Sequence, residues 1–459
     1  MAENKRRLWI RSVFVVIICL STGYVGFAAA TSGSVTQVSN STTSNLDDQS
    51  SVGATVVATQ AGSNPKDWDQ ARLAVVSNEG KVIYSNSTYD IYMDVDPVPN
   101  TTATVEYVAA KHLMTDAHPC VANTVYERCD RTVFIRHNLS TDTTTIFYES
   151  VQPHTGSVRT HDFDRLSEHE VAVAGISDDT VYNLNTTAGI REFSWHAQNH
   201  YPATGGGNYE EDWTHMNDVE ILHDGRIMAS NRNLDEIVFI NRSTGIQNSW
   251  TIGSNDNHSV QYEQHNPDYV PESRGGPAVI VADSENDRVV EYQRVNGAWK
   301  QTWEYPSTWS RDADRLPNGN TLITSSLAHE VIEINQSGDV VWRFEARLPY
   351  EAERLGTGDE SSGGKSAKTL SLTSVEGRSD GESRPGKSEG GRSLVSTIIS
   401  GFLSIIPPII IHGIQFVMPA WVGAPEVGTM GVAVMSAICW GGIEAYWRDY
   451  RLRTPVMRV

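Results

Sequence analysis

A chain of 459 residues has room for one large domain with appendages or two to three ordinary ones, so core size does not limit it. Its 56 Asp and Glu against 36 Lys and Arg give a net charge of −20, which argues against nucleic-acid binding, since that needs a basic face. Arg outnumbers Lys among the cations, and such an acid-rich, Lys-poor surface suits a halophile.

Residues 1–30 open with Lys5, Arg6, Arg7 and Arg11 and continue as an apolar run of about twenty residues, the length of a membrane span. This is a signal-anchor or a cleaved signal peptide. The basic flank stays in the cytoplasm, which places the following chain on the extracytoplasmic side of the cell membrane. Residues 31–52, rich in Ser, Thr, Asn and Gly, read as a flexible tether. Of four cysteines, Cys19 and Cys439 lie in apolar segments. Cys120 and Cys129 form a local pair that either closes a small disulfide loop or stays as two buried thiols. Eight Asn-x-Ser/Thr sequons, from Asn40 to Asn335, permit N-glycosylation but support an exterior location only weakly.

Residues 53–360 change to short β-type runs punctuated by Gly, Asn and Asp. A repeat emerges with the core Asp-x-Asp/Glu-x-Leu/Val, followed by a turn, two strands, a Gly turn and a strand ending in an aromatic. Copies begin at Asp94, Asp162, Asp218, Asp268 and Asp312, with a partial sixth at Glu351. Repeats of roughly 40–50 residues with about four strands each are propeller blades. The sixth copy has no strands after it, whereas the domain begins with two orphan strand runs. Joining them predicts an all-β, six-bladed β-propeller closed by its own N-terminal strands.

Residues 361–392 are a polar, Gly/Ser-rich linker by composition. The apolar segment 393–423 is interrupted by Pro407, Pro408 and His412 and is expected to lie in the interface or re-enter the bilayer. Residues 424–447 are expected to form a transmembrane helix. The tail 448–459 carries Arg448, Arg451, Arg453 and Arg458, so both chain ends belong on the cytoplasmic side.

Beside the recurring acid, the sequence varies. His161 directly precedes Asp162, His215 and His265 stand three residues ahead of Asp218 and Asp268, and Arg311 directly precedes Asp312. The acid itself is expected to bind backbone N–H groups at the turn into the innermost strand. Innermost strands surround the axis, so these His and Arg side chains from successive blades are expected to converge there. The histidines alone also allow a metal site, but an arginine aimed into the same channel would repel a divalent cation, and no metal ligand is assigned.

The order Trp213-x-His215-x-Asn217, then Ser230-x-Arg232, then Gln264-His265, then Asp283, Asn286 and Arg288 resembles the aryl-sulfate sulfotransferases, here in a haloarchaeal-like, membrane-anchored form. The resemblance covers the propeller and is sharpest between His161 and Arg288. It implies transfer of a sulfuryl group from an aryl sulfate to a phenol without a nucleotide sulfate donor and without a cofactor. By motif it makes His265 the nucleophile that becomes sulfated, His215 and Arg232 ligands of the sulfuryl oxygens, and His161 a looser match. Asn217, Gln264, Arg311 and Trp213 are expected to line the substrate, and Trp195, Tyr262, Tyr269 and Trp309 are available to stack on a phenol ring. Two features depart from the family: Asp218 follows Asn217 where a small residue is usual, and the small N-terminal β-domain has no counterpart. The alternative is a non-catalytic propeller that binds an anionic or sulfated ligand or scaffolds envelope partners. A quinoprotein-like oxidoreductase is a third reading that no residue cluster demands.

Overall fold

Alternating apolar runs separated by residues that tolerate positive φ dictate hairpins throughout the central chain. Asn296 (φ 53°) and Gly297 (φ 81°) are one such two-residue turn, joining the strands Arg288–Val295 and Ala298–Pro306. A computed structural model describes residues 2–31, 53–60, 70–114, 128–153, 160–209, 211–375, 399 and 401–448. The tether 32–52, Asn40, Cys120, linker residues 376–392 and tail residues 449–459 lie outside the described residues. Cys129 is disulfide-bonded, and Cys19 and Cys439 are free.

Six antiparallel sheets make six blades. Their innermost strands are Ile91–Pro97, Phe163–Ser167, Met216–Ile221, His265–Val270, Ser310–Arg315 and Pro349–Arg354, counted as blades one to six. In the sixth, Pro349–Arg354 pairs with Thr55–Thr59, which pairs with Leu73–Val76 and then Val82–Asn86. The register sets Glu351 opposite Ala58 and Glu353 opposite Val56, so the N-terminal strands close the ring as expected.

Apolar faces of adjacent blades bury one another. Ile237 and Phe239 of blade three pack with Tyr269, Val279 and Val281 of blade four, and Ile280 and Val289 of blade four pack with Ile323 and Ile332 of blade five. Each such fully buried side chain contributes roughly 1.5–3 kcal/mol.

Around the axis the recurring acids tie four of the six blades to the next. Asp164 Oδ2 accepts from Ile221 N (2.5 Å), Glu220 Oε2 from Tyr269 N (2.8 Å), Asp312 Oδ2 from Ala352 N (3.1 Å) and Glu351 Oε1 from Val95 N (3.0 Å). Register corrects the phase of the fourth repeat. Asp268 sits opposite Ile280, as Glu220 sits opposite Met228, so Asp268 matches Glu220 and Asn266 takes the place held by Asp218. The axis therefore carries two stacked layers: Asp94, Asp162, Asp218, Asn266, Asp312 and Glu351, then Asp96, Asp164, Glu220, Asp268, Asp314 and Glu353.

Residues 361–375, assigned by composition to the polar linker, are packed on the propeller. Ser366 caps a short helix, Ala367–Leu370, whose first N–H donates to Glu291, and Val375 N donates to Glu304 O (3.1 Å). Small and hydroxylated residues fit there because the chain runs close to its neighbours: a Cβ on Gly364 would stand 1.8 Å from the Arg315 carbonyl oxygen.

The two chain ends form a separate unit. Helices Asn4–Thr31 and Ala424–Trp447 are long and apolar enough to cross a membrane, with mean hydropathy 2.2 and 1.3. They pair antiparallel: Arg11 donates to both Glu444 carboxylate oxygens (2.5 and 2.8 Å), and Tyr24 Oη donates to Glu426 (2.9 Å). The intervening helix Pro408–Val417 has 10 residues, about half the length a bilayer requires.

Candidate functional site

One position in the repeat builds the site. Immediately before the first acidic layer stand Met93, His161, Asn217, His265, Arg311 and Tyr350, one from each blade. Register shifts mark this step in five of the six innermost strands, the exception being blade two. A bulge there lets consecutive residues both turn inward.

His161, His265, Arg311 and Tyr350 come together. The His161 and Tyr350 rings are 5.6 Å apart with Tyr350 Oη 3.2 Å from His161 Nδ1, and the His265 and Tyr350 rings are 6.2 Å apart. Arg311 Nη1 lies 2.8 Å from His265 Nδ1 and also touches Nε2, while its guanidinium covers the Trp309 ring at 3.6 Å. His215 joins from three residues ahead of its blade's acid, Asp218, its ring 5.2 Å from that of His161. It holds φ at +47°, the left-handed conformation that Glu263, Trp309 and Leu348 adopt at the same step of their blades.

Hydrogen bonds fix the tautomers. His265 Nδ1 faces the Glu263 carbonyl (3.0 Å) and Ser284 Oγ (2.9 Å), an environment that keeps its proton on Nδ1 and leaves Nε2 with the lone pair. Ser284 Oγ also donates to the Ser310 carbonyl. His215 Nδ1 lies 2.8 Å from each Asp212 carboxylate oxygen. Burial, then the charges of Arg311 and Arg232, hold His265 well below the usual imidazole range. Burial and Arg232 lower His215 as well, against the pull of Asp212. The lowered pKa leaves His215 neutral near pH 7, and Asp212 holds its Nδ1. Burial, then Arg232, brings Arg311 down to about 9, still cationic at neutral pH.

Arg232 acts on both histidines electrostatically but is ion-paired with Glu263. Asn217 donates to the Gln264 carbonyl (2.9 Å), leaving its buried Oδ1 without a partner. Gln264 donates to Ser230 Oγ (3.1 Å) and the Glu236 carbonyl (3.0 Å), joining blades three and four. Trp213 is not brought to the cluster's polar atoms: it is 1% exposed in the apolar core and donates to the Gly205 carbonyl. Asp283, Asn286 and Arg288 form a local scaffold, with Asp283 accepting from Asn286, Arg288 and Tyr262 N. Of the candidate stacking rings, Trp309 reaches the cluster through Arg311. Trp195 stacks on His200, Tyr262 on His258 and Tyr269 on His223.

Sequence reasoning missed Tyr350, Glu263, Asp212 and Ser284. Tyr350 had a signal, since it precedes Glu351 as His161 precedes Asp162 and Arg311 precedes Asp312.

No protein-family model and no curated protein sequence matches this chain. Solved structures that resemble it include a protein of unknown function from Bacteroides caccae (10% identity, TM-score 0.44) and a putative 6-phosphogluconolactonase from Bacteroides uniformis (11%, TM-score 0.43). Each match covers 66% of this chain and 99% of the other. A virginiamycin B lyase from Staphylococcus aureus matches at 8% identity and TM-score 0.37, over 67% of this chain and 88% of the lyase. The chain spans 56% of the length of a streptogramin B lyase that it also resembles. These are β-propeller likenesses only. The resemblance to aryl-sulfate sulfotransferases rests on the motif residues alone.

Proposed function

We propose that this protein is a membrane-anchored sulfotransferase that moves a sulfuryl group from an aryl sulfate to a phenolic acceptor through a sulfated His265, on the extracytoplasmic side. The supporting observation is the pairing of a neutral, Nδ1-anchored His265 with the buried guanidinium of Arg311. In the first step His265 Nε2 attacks sulfur, the N–S bond forms, the S–O(aryl) bond breaks, and the aryl oxide leaves with the bonding pair. Arg311 moves off the imidazole onto the sulfuryl oxygens, where charge is spread, as in phosphoryl transfer. In the second step the acceptor phenol gives its proton to His215 Nε2, its oxygen attacks sulfur, and the N–S pair returns to His265. Asp212 stabilises the imidazolium formed at His215. Incubating the full-length protein in detergent with a chromogenic aryl sulfate tests this: release of the donor phenol beyond one equivalent per chain should require a second phenol, and any release should require His265. Turnover that His265→Ala leaves intact removes the proposal.

A second reading, an anion-binding propeller without turnover, is favoured by one observation. His265 and His215 are only 2% and 3% exposed, and Arg232 is closed by Glu263. A protein that binds aryl sulfate but yields no phenol would establish that reading instead.

A further inference from the structure

Below the histidine layer the axis is lined by carboxylates, and they are not equivalent. Asp268, Asp312 and Asp314, from blades four and five, are 0%, 3% and 1% exposed, and each offers an oxygen within 4.8 Å of the others. Blade geometry accounts for part of this set: Asp312 Oδ2 accepts from Ala352 N, and Asp268 Oδ2 accepts from Ser361 Oγ. The rest has no such account. Neither oxygen of Asp314 nor Asp268 Oδ1 accepts from a donor, and the one hydrogen bond open between these two carboxyls needs a proton shared between them. Arg274, whose charge acts on Asp268, donates instead to the Ser361 and Gly364 carbonyls. Arg274 and Arg315 act on Asp268 through their charge but donate to neither oxygen of Asp314, and an unpartnered carboxylate buried this fully, facing two more, calls for a cation at its own oxygens.

We infer that Asp268, Asp312 and Asp314 bind a divalent cation of the calcium type on the propeller axis. The donors are all carboxylate oxygens, with no sulfur or imidazole among them, which selects a hard cation. Calcium–oxygen distances of about 2.3–2.6 Å set ligands on opposite sides of the ion at most about 5 Å apart, matching the spacing of this cluster. The cation lies one layer below Arg311, which immediately precedes Asp312. It therefore fixes the innermost strands that carry the histidine layer, and the inference stands whether or not those histidines transfer a sulfuryl group.

The test uses full-length protein in detergent, stripped with EDTA, moved into chelator-free buffer, and titrated with calcium chloride alone by calorimetry. Wild type should bind about one ion per chain and melt at a higher temperature with calcium than with EDTA. Asp314→Asn keeps shape and removes charge; it should weaken calcium binding at least about tenfold and lose most of the calcium-dependent rise in Tm. Its melting in EDTA should be no lower than that of wild type, because a buried repulsion is relieved. Asp256→Asn, in the exposed group of Asp235, Asp256 and His258, should bind as wild type does. Calcium-independent melting of wild type would mean that the carboxyls hold protons instead, and would overturn the inference. So would full calcium affinity in Asp314→Asn, or loss of binding in Asp256→Asn or Asp94→Asn.

Discussion

The guanidinium of Arg311 rests against the imidazole of His265, and the two residues hold the same place in consecutive blades. A cation so placed keeps the ring neutral and supplies the donors that an incoming oxyanion requires. Replacing Arg311 with Ala should lower kcat by roughly 10²–10³, the usual effect of removing one oriented donor at developing charge. Because Arg311 depresses the His265 pKa, its loss should raise that pKa, and the acidic limb of the pH–rate profile should move to higher pH. A profile that falls in height without shifting would contradict this pairing.

Glu263 is ion-paired with Arg232, so in the proposed reaction it competes with an anionic donor for that guanidinium. Glu263→Gln should lower KM for an anionic donor, and Arg232→Ala should raise it, with smaller effects on kcat in both. Steady-state kinetics on the two variants separate this from a structural role, in which both substitutions would raise KM.

His329 reports on blade five rather than on chemistry. Burial, then the charge of Arg347, lowers its pKa from 6.5 to about 4, and its neutral Nδ1 accepts from Leu348 N. A depressed folded pKa means that the unfolded chain binds the proton first. The stability contribution is full above pH 6.5 and is lost as pH falls towards 4. It is worth on the order of 1–3 kcal/mol, allowing for partial exposure. His329→Asn, which tolerates the residue's φ of 58°, should flatten the fall in Tm between these pH values.

Arg315 and Glu291 form an ion pair with both side chains at 0% exposure, and Glu291 also accepts from Ala367 N, anchoring the segment after the sixth blade. Glu291→Ala should destabilise the propeller by about 3–5 kcal/mol by leaving a buried cation unpaired. Denaturant unfolding measures this directly, and a loss under 1 kcal/mol, the size of an exposed pair, would contradict it.

The contacts of Arg11 with Glu444 and of Tyr24 with Glu426 need the first helix to remain in the mature chain. Intact-mass analysis of protein extracted from membranes should retain residues 2–31, which selects the signal-anchor over the cleaved signal peptide. A mature chain that starts after Ala30 would contradict the pairing.

The ring was legible because Glu351 opens a repeat that the chain does not finish, while Thr55–Thr59 and the strands after it precede the first complete copy and belong to no repeat of their own. The site was legible at His161 and Arg311, which touch the recurring acid in sequence. It was misread at blade four, where Asn266 replaces the acid and shifts the apparent phase, so that His215 and His265 look equivalent although their backbones place them at different steps. The Glu263–Arg232 pair was hidden because 31 residues separate the partners. Residues 361–375 look like linker because their anchors are serine hydroxyls and backbone N–H groups, which composition does not distinguish from solvated chain.

The most direct test of a sulfated His265 is peptide mass spectrometry of the full-length protein after brief exposure to an aryl sulfate without acceptor. The account predicts a mass gain of one SO3 on the peptide containing His265, discharged on addition of a phenol. Phenol release with no adduct at His265, or with an adduct on another residue, would contradict it.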